Sequence, residues 1–95
     1  MVLESFTKIK EILEGINEGK PLNEEALQNA IKYINTFYSN TGMNFGSFRY
    51  MRNREDANEI ESMDTNIKAL LEDETVENNL PSGMSKMIFN LFISF

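Results

Sequence analysis

Between Glu55 and Glu77 the chain carries nine carboxylates, at Glu55, Asp56, Glu59, Glu61, Asp64, Glu72, Asp73, Glu74 and Glu77, against one lysine, Lys68. Three kinds of chemistry use acids at such density. Glu55, Asp56 and Glu59 are spaced for one helix face, as in a carboxylate metal site. Such a bridged site normally adds Glu-x-x-His from a facing helix, and the chain contains no histidine. No acidic run has the spacing and central glycine of a calcium loop. Paired-carboxylate hydrolysis needs a cleft between two acids, which no spacing here implies. What remains is a charged surface that imitates phosphates and docks into a basic groove. Its plain rival is the solvated side of an amphipathic helix, because most of these acids project opposite Ile60, Met63, Ile67 and Leu70. The solvated face is the simpler reading and the mimic the sharper one.

A second concentration mixes aromatic and basic residues: Phe45, Phe48, Arg49, Tyr50, Arg52 and Arg54. These are the ingredients of a stacking platform for single-stranded nucleic acid. Three arginines in a chain of net charge −6 argue against it. The ordinary account is a loop folded onto the bundle, its arginines paired with the acids from Glu55 onward. Arg and Tyr are also enriched in protein–protein hot spots, so Phe48, Arg49, Tyr50 and Arg52 join Glu55, Asp56 and Glu59 as candidate partner contacts.

The absences narrow the field further. Histidine, cysteine and tryptophan are missing. Acid–base catalysis near neutral pH and zinc, copper or non-haem iron sites draw mainly on the first two. Neither G-x-x-x-x-G-K-[ST] nor G-x-G-x-x-G occurs. The expectation is a protein that is not an enzyme, holds no cofactor and no metal, and binds no nucleic acid directly. The opening residues show no basic segment before an apolar run, so no signal peptide is expected. No stretch reaches the roughly 18 apolar residues of a membrane span. A cytoplasmic location follows as an expectation. Asparagine is abundant, which suits an AT-rich coding source such as a phage.

Four helical segments must carry these residues, at about 2–18, 23–40, 53–77 and 83–95. In the first, Val2, Phe6, Ile9, Leu13 and Ile16 step by four, three, four and three, and Gly19 with Pro21 ends it. The second starts on Asn23 as N-cap, with Glu24 and Glu25 in the first turn and Leu22 and Leu27 placed as a staple. Its face is Leu27, Ala30, Ile31, Ile34, Phe37 and Tyr38. The third keeps the helical period through Ala57, Ile60, Met63, Ile67, Leu70 and Leu71. Pairs Asp64–Lys68 and Lys68–Glu72 support it, and the poor helix formers Asp64-Thr65-Asn66 mark where a break is expected.

The last segment is the apolar piece around which the others should close. Met84, Met87, Ile88, Leu91, Phe92 and Phe95 form one stripe, with Ser82 as N-cap. Phe89 and Ile93 fall on the other side. A strand over IFNLFISF is the alternative, since period 2 also groups apolar residues there. The surplus apolar surface has two readings, a helix central among the others or a contact made through Phe89 and Ile93.

Together these features predict an all-α single domain, a small bundle of three to four helices with an aromatic-rich connecting loop. The expected mode of action is protein binding, as a regulator or inhibitor directed at a nucleic-acid-handling protein with a basic surface. Two alternatives stand beside it: an immunity or antitoxin-type protein that neutralises a toxin, and a small self-assembling protein that forms a homo-oligomer.

Overall fold

A computed structural model describes residues 2–40 and 57–91, with side chains at 4–37, 59 and 61–91. Among the described residues the chain forms five helices and no strand: α1 (Val2–Asn17), α2 (Glu24–Asn40), α3 (Ala57–Glu72), α4 (Glu74–Asn78) and α5 (Met84–Asn90). The fold is the small all-α bundle that the periodicity predicts. The aromatic segment Met43–Arg52, with Phe48, Arg49, Tyr50 and Arg52, lies outside the described residues, as do Glu55, Asp56 and Ile93.

The apolar steps of α1 become its buried face: Phe6, Ile9, Leu13 and Ile16 are all within 3% of full burial. Gly19 closes the helix in the left-handed region at φ 88°. Lys20 N–H donates back to Gly15 O at 2.8 Å, so the first turn left by the helix is satisfied and the chain reverses over a few residues. In α2 the Asn23 side chain accepts from Ala26 N–H at 3.1 Å, the N-cap bond expected there. Leu27, Ala30, Ile31 and Ile34 are buried, and Leu22 and Phe37 pack on the same cluster.

The centre of the bundle is α1, which contacts α2, α3 and α4, whereas α5 packs against α3. The expectation that the last helix sits centrally is therefore corrected. A short helix with apolar residues on both sides can close one edge of a core without being surrounded. Ile67 and Leu71 from α3, Val76 from α4, and Met84, Ile88 and Leu91 from the C-terminal segment complete the core.

The third helical segment breaks, but not at Asp64-Thr65-Asn66, where α3 runs on without interruption. Thr65 Oγ1 donates to Glu61 O at 3.2 Å and stays inside the helix. The break comes at Asp73. Its carboxylate accepts from Thr75 N–H at 2.8 Å and from Val76 N–H at 3.4 Å, opening α4 as an N-cap. An acid in that place rewards the chain for leaving the helix and restarting. Val76 is thereby turned fully into the core.

Candidate protein-docking surface

α5 begins after Pro81 on Gly83, which takes φ 83° in the left-handed region and serves as N-cap. Ser82 does not fill that role: Met87 N–H donates to Gly83 O at 3.0 Å, and no side chain caps the helix. A φ near +83° is open to glycine at little cost and strained for serine, which explains why the cap falls one residue later. From that start Met84, Ile88 and Leu91 point inward, at 4%, 0% and 0% exposure. The strand reading of this stretch is overturned through Asn90.

The same phase turns two large apolar residues outward. Phe89 is 45% exposed and Met87 is 49% exposed. For Phe89 this matches its place on the far side of the helix. Met87, expected in the buried stripe, is a correction: at 100° per residue it sits about 70° from the middle of the Met84–Ile88–Leu91 face, at its rim. Met87 and Met84 border a groove of about 490 Å³ against α2, lined also by Gln28, Ile31, Lys32 and Asn35.

Phe89 faces α3 on its other side. The Lys68 ammonium lies 5.5 Å from the ring centroid and 3.0 Å from Asp64 Oδ1. That Asp64 oxygen is shut away from solvent and accepts no hydrogen bond of good geometry, so the ammonium is its counter-charge. The expected Asp64–Lys68 pair thus forms, and it carries a cation–π contact with it. Beside Phe89 a second groove of about 440 Å³ runs between α3, α4 and α5. Glu72 and Glu77 stand on its walls, and both are exposed.

Of the candidate contacts read from the sequence, Phe89 and Glu59 fall among the described residues. Both are exposed, but they are not brought together. Glu59 is in the first turn of α3, where it borders a separate groove with Lys10, Ser62, Met63 and Asn66. Phe89 meets the helix at Lys68, about 13 Å further along its axis. The residues that accompany Phe89 are Lys68, Glu72, Glu77 and Lys86, whereas Met87, two residues earlier, faces the groove against α2. The wheel of the last helix carries no signal for Lys68, Glu72 and Glu77, which belong to the two helices before it. Tyr33, also 48% exposed, belongs to a different face, on a groove between α1 and α2 with Ser5, Lys8 and Ala26.

Among the described residues no helix is long and apolar enough to cross a membrane, and no three carboxylates converge as a metal site. In comparisons with protein families, with curated proteins and with solved structures, the chain finds no match. Its function is therefore read from its own surface.

Proposed function

We propose that this protein acts without catalysis, by docking onto another protein as a regulator or inhibitor, and that its partner presents a basic surface of the kind that handles nucleic acid. One observation carries this reading: Phe89 and Met87 stand half out of the surface on α5, in the half of the molecule where carboxylates most outnumber lysines. From Ala57 to Leu91 there are seven acids, Glu59, Glu61, Asp64, Glu72, Asp73, Glu74 and Glu77, and two lysines, Lys68 and Lys86. An exposed aromatic in a stretch with this surplus of acids suits a partner of the other sign. The anchor supplies affinity through desolvation, and the charges supply steering and choice of partner.

Docking of this kind is sensitive to salt. Capture with the tagged chain from a nuclease-treated lysate should retain basic proteins at low salt and lose them near about 1 M, where the screening length falls to about 3 Å. The Met87→Asp/Phe89→Asp variant should lose the same proteins at low salt. Capture indifferent both to salt and to this variant contradicts the reading.

The exposed Phe89 also favours a second reading, assembly of the chain with itself. Light scattering at rising concentration separates the two: a dimer that Phe89→Asp dissociates supports assembly, and an unchanged monomer removes it.

A further inference from the structure

The groove on the α2 side of α5 differs chemically from the one beside Phe89. Around about 490 Å³ it has Ile31, Met84 and Met87 as apolar lining and Lys32, Asn35 and Thr36 as polar neighbours. Ile31 and Met84 are buried, and Met87 stands at the open rim. Lys32 is exposed, and among the described residues its ammonium enters no ion pair. No carboxylate belongs to the described lining. In the other three grooves lysines and carboxylates stand together: Lys10 with Glu59, Lys8 with Glu4, and Lys68 and Lys86 with Glu72 and Glu77. The acids of α2, Glu24 and Glu25, are in its first turn, about 11–12 Å along the axis from Lys32. Glu24 accepts a hydrogen bond from Gln28 Nε2 at 3.1 Å. At physiological salt its distance from Lys32 exceeds the screening length of about 8 Å.

This volume falls within the roughly 300–1,000 Å³ of small-molecule sites. Seven described residues line the groove, against roughly 20–30 a side for a protein partner, so a compact guest matches it better than another protein's surface. The apolar lining takes a hydrocarbon body out of water, and the two methionines adapt to its shape. A cationic head meets the Lys32 ammonium with no lining carboxylate to hold it. An anionic head finds that ammonium unpaired, and the Asn35 amide and Thr36 hydroxyl add neutral donors. We propose that the α2–α5 groove binds a small amphiphilic carboxylate of the fatty-acid class, with its hydrocarbon body against Ile31, Met84 and Met87 and its carboxylate at Lys32. The site lies apart from Phe89 and does not depend on the docking reading above.

The test is a titration of the ¹⁵N-labelled full chain with decanoate, kept below the concentration at which it forms micelles. Decanol, with the same tail and a neutral head, and acetate, with the head alone, run in parallel. Decanoate should shift the amides of Ile31, Lys32, Asn35, Met84 and Met87 saturably, and acetate should not. Decanol should bind about three- to fivefold more weakly, the range of one exposed ion pair. Lys32→Gln should weaken decanoate by the same factor and leave decanol unchanged. Lys20→Gln, which removes a lysine elsewhere on the surface, should change neither, and both variants should keep the wild-type circular dichroism. Absence of saturable shifts at these amides overturns the proposal. So do equal affinities for decanoate and decanol, indifference to Lys32→Gln, or an equal loss with Lys20→Gln. Ligand-free shifts of the same amides with protein concentration overturn it too, because a second copy then fills the groove.

Discussion

Lys68 on α3 and Phe89 on α5 are joined by a cation–π contact, the ammonium 5.5 Å from the ring centroid. The same ammonium is 3.0 Å from Asp64 Oδ1. One lysine therefore links an intrahelical ion pair to the helix packed across it. Because the ring is only partly covered, this link fixes where Phe89 stands without removing it from the surface. The charge, the packing and the candidate docking face meet at this one side chain.

Removing the lysine strands the Asp64 oxygen. Lys68→Ala should lower stability by about 1 kcal/mol, since the pair is partly solvated and its counter-charge is lost. Asp64→Asn combined with Lys68→Ala should cost no more than Lys68→Ala alone, because the stranded charge is then absent. Urea midpoints of Lys68→Ala, Asp64→Asn and the double variant measure this. Costs that simply add show that the two side chains are not coupled.

The restart of the chain at Asp73 rests on its two cap bonds. Asp73→Ala should lower stability by about 1 kcal/mol, readable as a fall of several degrees in melting temperature for a domain of this size. Asn66→Ala, on the exposed side of the uninterrupted helix, should be neutral or stabilising by up to about 0.7 kcal/mol. The reverse order places the break at Asp64-Thr65-Asn66 after all.

Glycines distinguish required backbone from tolerated backbone. Gly83→Ala forces a side chain into φ 83° and should cost about 1 kcal/mol. Gly15 lies inside α1, where an added Cβ meets Lys20 Cδ at 3.7 Å, an ordinary contact. Gly15→Ala should therefore stabilise by about 0.5–1 kcal/mol. Thermal melts of the two variants should move in opposite directions, and a loss at Gly15 as large as at Gly83 contradicts the helix geometry.

Much of this architecture could be read from apolar spacing. The stripe through Phe6, Ile9, Leu13 and Ile16, and the start of α2 at Asn23, follow from periodicity and capping alone, because a long amphipathic helix states its buried face many times over. The C-terminal half is harder. Asp73 looks like one more acid in an acidic run, and its capping role depends on the chain turning so that Val76 is buried. Ser82 is the better N-cap by residue type, yet the turn after Pro81 needs a left-handed residue, which favours Gly83. Met87 lies at the edge of the apolar arc of this seven-residue helix, where packing between helices and not spacing within one decides exposure. The docking face was legible only in Phe89. Lys68, Glu72 and Glu77 join it through packing between helices, which spacing within one helix does not encode.

Ile88 and Phe89 are adjacent in sequence and opposite in environment, one fully buried and the other half exposed. Urea denaturation of Ile88→Ala and Phe89→Ala, side by side, tests whether α5 closes the core with one face while offering the other to a partner. Expected is a loss of about 2–4 kcal/mol for Ile88→Ala and of no more than about 1 kcal/mol for Phe89→Ala. Equal losses, or a larger loss at Phe89, contradict it and make Phe89 a core residue.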